Sequence, residues 1–317
     1  MSNLPIPSLP ELELALKLVK PYIHHTPVLS SQLLNKIAGA ELYFKCENFQ
    51  KVGAFKFRGA INAVLQLSDK ERANGVATHS SGNHAQALAL AAKMNNTKAY
   101  IVMPTSAPKV KSAAVADYGA EIIWCESNLK SRETTLAEVV IRTGVTVVHP
   151  YDNHQVICGQ STAAQELLEK YDNLDIVVTP VGGGGLLSGT ALAVKYQFPG
   201  IKVIAAEPEG ANDAYQSFNG GKLVPSVNPN TIADCLLTSL SERTFNIISQ
   251  YVDDILVAND EEILAAMHLI WERMKLIIEP SSAVALAIVL KNKEYFAGKR
   301  IGIIISGGNV DLKKFSF

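Results

Sequence analysis

The chain has no C-x-x-C pair. Its four cysteines, Cys46, Cys125, Cys158 and Cys235, are scattered along 317 residues. That spacing suits neither a structural zinc site nor a disulfide framework, and four free thiols fit a reducing cytoplasm. Net charge is nearly absent, with 29 Lys+Arg against 30 Asp+Glu, so the basic surface of a nucleic-acid binder is missing. No uncharged apolar stretch reaches the ~18–20 residues of a membrane helix. The start, "MSNLPIPSLPELELALKLVK", has prolines and acids where a signal peptide would carry its apolar segment. Repeats, low-complexity tracts and charge blocks are absent as well. What is present is 48% hydrophobic residues and a positive mean hydropathy. This is the composition of a well-buried cytoplasmic enzyme, long enough for two domains.

Apolar, strand-like runs alternate with helix-like ones. "GVATHS" (75–80) precedes "NHAQALALAAKM", "KAYIVMP" (98–104) precedes "KVKSAAVADYG", "EIIWC" (121–125) precedes "RETTLAEVVIRTG", and "TVVHP" (146–150) precedes a helix over about 154–171. "DIVVTPV", "KVIAAEP", "DDILVAN" and "KRIGIIIS" follow. Near-continuous apolar strands in βα alternation predict an α/β fold of twisted, mostly parallel sheets flanked by helices. The segment at about 208–232, rich in Gly, Asn and Pro, reads as a surface excursion.

In open parallel sheets, ligands sit beyond the carboxyl ends of the strands. Four Gly- and Asn-bearing loops fall there: "HSSGNHA", "VGGGGLL", "AEPEGAND" and "SGGNVD". The run Gly182–Gly185, between an apolar strand and an apolar helix, suits an anion held on backbone N–H groups. It is neither a P-loop, since no lysine precedes a Ser or Thr behind it, nor a G-x-G-x-x-G turn. Lys56 stands between Phe55 and Phe57. It is either an ordinary solvated lysine or a desolvated amine of lowered pKa, able to hold a Schiff base. Ser81-Gly82-Asn83 is either a plain helix cap or a set of free N–H groups for a carboxylate.

Together, "GAFKFRGA", "HSSGNHAQA", "VGGGGLLSG", "AAEPEGANDAYQS", "ERMKLIIEP" and "SGGNVD" resemble the fold-type II pyridoxal-phosphate (PLP) enzymes of the serine/threonine dehydratase and serine racemase family. The resemblance spans nearly the whole chain. It implies a tryptophan synthase beta-like fold with PLP at the domain interface. Residues 1–70 and 151–317 would form the large PLP-binding domain, and 71–150 a small mobile one. Lys56 would bond the cofactor with Phe55 beside its ring, and Gly182, Gly183, Gly184, Gly185 and Leu186 would hold its phosphate. Asn83 would meet the 3′-oxygen and Ser306 the pyridine nitrogen. Ser80, Ser81, Asn83 and His84 would surround the substrate carboxylate, and Ser81 would also serve as the second-face acid of a racemase. Arg132 would meet a substrate carboxylate, although a helix-surface arginine fits that position equally well. Glu207, Asp213 and the Ala211 carbonyl would bind Mg²⁺ or Ca²⁺, as oxygen-only donors do; the alternative is a solvated acidic loop.

The resemblance thus implies a homodimeric ammonia-lyase converting L-serine or L-threonine to a 2-oxo acid and ammonia. Serine racemase activity, threo-3-hydroxyaspartate as substrate and a nucleotide effector all stay open. Three positions depart from the family pattern: Ala54 where serine is usual, Cys235 where glycine is usual, and a chain end eight residues after Asn309, which leaves no room for a regulatory domain. A non-catalytic phosphate- or nucleotide-sensing module on the same scaffold is the reading from a different class. The combination of Lys56, Ser81 and Ser306 speaks against it.

Overall fold

A computed structural model describes residues 4–107 and 109–315. Ten strands form two sheets: β1 (Val28–Leu29), β2 (Glu41–Cys46), β3 (Val76–His79), β4 (Ala99–Pro104), β5 (Glu121–Cys125), β6 (Thr146–Val147), β7 (Ile176–Pro180), β8 (Lys202–Pro208), β9 (Asp254–Ala258) and β10 (Arg300–Ile305). The larger sheet runs β1-β2-β10-β7-β8-β9 and the smaller β5-β4-β3-β6. All pairings are parallel except β1 with β2. The α/β architecture read from the alternation is therefore the one found, and no helix among the described residues is long and apolar enough to cross a membrane.

The strands are apolar on both faces because helices cover both. β10 lies between β2 and β7, with Ile301 opposite Leu42 and Ile176, and Ile301, Ile303, Ile304 and Ile305 are fully buried. On one face of this sheet the core is filled from the helices Asp260–Met274 and Pro280–Lys291, and on the other from the helix Gly185–Gln197. Fully burying each such aliphatic side chain is worth about 1.5–3 kcal/mol.

Three helices meet along a seam of glycines: Lys56–Leu65, His154–Lys170 and Gly185–Gln197. A Cβ on Gly159 would lie 2.5 Å from the Arg58 carbonyl oxygen, and one on Gly189 would lie 2.7 Å from that of Ile157. Backbone packs on backbone there, and no side chain fits between.

Beside the seam, four buried charges close a network. Arg58 bonds Glu47 through Nε at 2.6 Å and Glu166 through Nη2 at 2.8 Å, and Lys45 also bonds Glu166. It ties the helix bearing Lys56 to β2 and to the helix His154–Lys170. Two local expectations shift. "TVVHP" pairs for only two residues before the chain turns toward the site. The stretch at 208–232 contains the helix Asp213–Gly220, whose Asp213, Ala214 and Ser217 face inward, so the surface excursion holds only for the part after Gly221.

Candidate active site

The carboxyl ends of β3, β7, β8 and β10 carry the four loops singled out in the sequence. β7 feeds Val181 and the glycines, and the helix begins at Gly185 with Gly184 in the left-handed region at φ 87°. Among the described residues, none of the backbone N–H groups of Gly182–Leu187 has an acceptor. The glycines are needed for room: a Cβ on Gly183 would come within 2.3 Å of the Tyr151 ring, and one on Gly184 within 2.8 Å of Leu240 and Thr244. A row of unpaired donors at a helix N-terminus fits a phosphate.

Lys56 opens the helix Lys56–Leu65. Its Nζ donates to the Pro150 carbonyl at 2.9 Å and lies 5.1 Å from the Phe55 ring centroid. Part of the side chain reaches solvent, yet protein surrounds the ammonium, and this desolvation lowers its pKa to about 8 against the weaker opposing pull of Cys235 and Glu279. A neutral amine is therefore accessible near neutral pH, which imine chemistry with an aldehyde requires.

The Ser80–Asn83 turn leads from β3 into the helix Asn83–Met94. Ser80 N–H donates to Val102 O at 3.2 Å, and Ser80 Oγ accepts from Gly82 N–H at 3.4 Å. Ser81 is half-buried beside them. His84 donates from Nε2 to Val148 O at 2.9 Å, leaving Nδ1 buried and without a partner. Burial, reinforced by Lys56, pushes His84 down to about 3, so it is a neutral ring. His149 is likewise neutral, held near 4 by burial and by His79. It stands edge-on to Tyr151 with centroids 4.6 Å apart.

Ser306 is buried with its Oγ 2.9 Å from that of Ser282, and among the described residues no carboxylate hydrogen-bonds to either hydroxyl. Arg132, on the helix Leu129–Thr143, acts electrostatically on His79 and Cys125, and its buried Nε has no partner. Glu207 accepts N–H bonds from Ala214 and Tyr215, both at 2.8 Å. Both Asp213 carboxylate oxygens are buried, and among the described residues neither meets a donor in good hydrogen-bond geometry, Ser226 and the Leu240 N–H acting on them only weakly. Burial pushes Glu207 up to about 8 and Asp213 to about 6, the nearby Ser226 hydroxyl drawing Asp213 only partly back. Open carboxylate oxygens fit a hard cation, although no group of three or more His, Cys, Asp or Glu among the described residues forms a metal cluster.

The structure thus gathers Lys56, Asn83, the glycine loop and Ser306 between the two sheets and sets the Glu207–Asp213 pair at the end of β8. It also brings in residues that the sequence reading passed over. Asn83 Nδ2 donates to Glu279 Oε1 and Oε2 at 3.1 and 3.3 Å, and Asn83 Oδ1 accepts from Asn309 Nδ2 at 2.9 Å. Glu279 lay inside the quoted "LIIEP", where a Glu before Pro280 reads as an ordinary acid at a helix start.

A family model described as "Pyridoxal-phosphate dependent enzyme" matches residues 19–307. A beta-hydroxyaspartate dehydratase of Paracoccus denitrificans is 50% identical over 309 residues, 98% of this chain and 98% of that one. An L-threo-3-hydroxyaspartate ammonia-lyase of Saccharomyces cerevisiae is 50% identical over 299 residues, 94% of this chain and 92% of that one. The crystal structure of serine racemase from Dictyostelium discoideum superposes with a TM-score of 0.93 at 50% identity, covering 96% of this chain and 99% of that chain. The chain belongs to the fold-type II PLP enzymes, in the family of serine/threonine dehydratases and serine racemases that act on small amino acids.

Proposed function

We propose that the chain is an ammonia-lyase that eliminates the β-hydroxyl of a small L-β-hydroxy amino acid, L-serine or L-threonine, as water, the released enamine then taking up water as it hydrolyses to a 2-oxo acid and ammonia. The observation that carries this reading is a desolvated lysine amine held on the Pro150 carbonyl, next to the Tyr151 ring that lies against the glycine loop and its row of free N–H groups, with a serine hydroxyl at position 306. Bound PLP supplies an electron sink that acidifies the substrate Cα–H, and a neutral hydroxyl at its ring nitrogen limits how far that charge spreads. Lys56 holds the cofactor between turnovers and, once displaced by the substrate amine, takes the Cα proton on its own face. Ser80, Ser81 and the first N–H groups of the Asn83 helix orient the substrate carboxylate; neutral His84 adds no charge to that pocket. Ser81, on the other face, would return a proton in any racemisation. Glu207, Asp213 and the Ala211 carbonyl would hold Mg²⁺ or Ca²⁺ away from the reacting atoms. We assign residues 71–150 as the part that moves when substrate binds.

The unpartnered Nε of Arg132 favours a second reading in which the substrate carries another carboxylate, as threo-3-hydroxyaspartate does. The names of two similar proteins support it.

The deciding experiment is chiral product analysis of the PLP-loaded protein with L-serine, L-threonine and threo-3-hydroxyaspartate. A 2-oxo acid and ammonia from at least one, abolished by Lys56→Ala, is expected. Ser81→Ala should remove any D-product and leave elimination in place. A protein that forms no borohydride-stable lysine adduct and no product would refute the reading.

A further inference from the structure

Glu279 is fully buried, and among the described residues no lysine or arginine pairs with it. Leaving an acid unpaired in the interior costs several kcal/mol. It precedes the helix Pro280–Lys291 at the cap position, yet its side chain makes no capping bond. Ser, Thr, Asp or Asn would cap that helix better. The carboxylate turns instead toward the loop after β10. It lies so close that a Cβ on Gly307 would be 2.6 Å from Oε1. Its neighbours are Asn83, Asn309, Cys235, Asp234 and Lys111, with Lys56 in electrostatic reach. Burial drives the group up to about 7, and the largest opposing pull is the Asn83 N–H bond.

The hydrogen bonds leave one orientation for the Asn83 amide. The Val52 carbonyl can only accept, so the Asn309 group facing it at 2.7 Å is its NH₂. The same nitrogen gives its second hydrogen to Asn83, which must therefore offer its oxygen there. The Asn83 NH₂ then faces Glu279, which as a carboxylate can only accept. The Asn83 NH₂ thus has Glu279 and, at 3.8 Å, the weakly accepting Cys235 sulfur, a contact that a stronger acceptor can displace.

We propose that Glu279 is a positioning residue: with Asn309 it locks the Asn83 amide so that the second N–H is presented to the 3′-oxygen of the cofactor. This rests on the reading of Asn83 given above. An asparagine with both ends unanchored would turn its carbonyl toward that oxygen in part of the population, replacing a charge-assisted bond with a repulsion.

The test uses full-length protein loaded with PLP and three readouts: the absorption spectrum of the bound cofactor, its rate of release into a scavenger, and the melting temperature. Asn83→Ala and Glu279→Met should shift the spectrum alike and speed release about tenfold or more, the range of one hydrogen bond to a charged group. Glu279→Gln keeps an acceptor and should stay within about threefold of the parent. In the Asn83→Ala background, Glu279→Met should add less than about twofold, because a residue acting through Asn83 has nothing left to position. Asn309→Asp, which cannot donate to the Asn83 oxygen, should reproduce the spectral shift even where Glu279→Met lowers the melting temperature. If Asn83→Ala changes spectrum and release while Glu279→Met and Asn309→Asp do not, the proposal is overturned and the Asn83 reading stands. An equal effect of Glu279→Met with and without Asn83 also overturns it. A silent Asn83→Ala overturns the underlying reading itself.

Discussion

Lys56 offers a direct measurement of what burial does to one amine. An exposed lysine amine titrates near 10.5, whereas desolvation brings Lys56 to about 8. At pH ~7.5 the neutral fraction then rises from about one in a thousand to about a quarter, a gain of roughly 200-fold in nucleophile. Competitive trace labelling of cofactor-free protein with a neutral acylating reagent, from about pH 6 to 10, would read this at the Lys56 peptide, with exposed Lys130 as internal reference. Reactivity at Lys56 should climb through about pH 8 and level off, well below the ordinary lysine range. Glu279→Gln should move the Lys56 midpoint lower, because the Glu279 charge favours the ammonium. The stability linkage has a definite sign. The folded pKa lies below the unfolded one, so between about pH 8 and 10.5 the unfolded chain holds more protons and Lys56 adds stability as pH rises. A Lys56 profile that follows Lys130 would show that the amine is hydrated, and the argument for its readiness would fail.

Three further outcomes are expected. Arg58→Met leaves Glu47 and Glu166 buried with Lys45 as the one remaining buried cation beside them among the described residues, and should lose about 3–5 kcal/mol in urea unfolding at neutral pH. The deficit should shrink as pH falls and the stranded carboxylates take up protons; a loss under about 1 kcal/mol would show that the network carries little. Gly183→Ala drives a methyl group into the Tyr151 ring and should weaken cofactor retention about tenfold or more at nearly unchanged secondary structure by circular dichroism. Ca²⁺ or Mg²⁺ in large excess should raise the melting temperature by several degrees, and Asp213→Asn should abolish that response; equal responses in both proteins would place the cation elsewhere.

How far the sequence could be read depended on the range of each interaction. β3, β4, β5, β7, β8, β9 and β10 each show as an apolar run of a length suited to a covered strand. β2 does not, because "ELYFKC" carries Glu41 and Lys45, and the buried Lys45 ammonium is met by the Thr26 carbonyl and by Glu166, 121 residues away. The glycine loop and Lys56 have local signatures in neighbouring residues. Glu279 has none: its partner Asn83 lies 196 residues away, and a Glu-Pro pair at a helix start looks the same whether the acid faces water or a cofactor pocket. The helix Asp213–Gly220 was hidden for a different reason: the Gly, Asn and Pro around it outweigh its short apolar face.

The glycine seam bears on how a two-point ligand is captured. The helices carrying the lysine and the phosphate loop both touch the helix His154–Lys170 backbone to backbone, so neither slides without a main-chain clash. The span from amine to anion site is set before anything binds. On the proposed reading, a ligand held first by its phosphate would present its aldehyde to Lys56 at a high effective concentration, and the second bond would form as a unimolecular event. A bulkier residue at Gly159 or Gly189 would push these helices apart, so the loss of packing and the altered span between the two binding groups would arrive together.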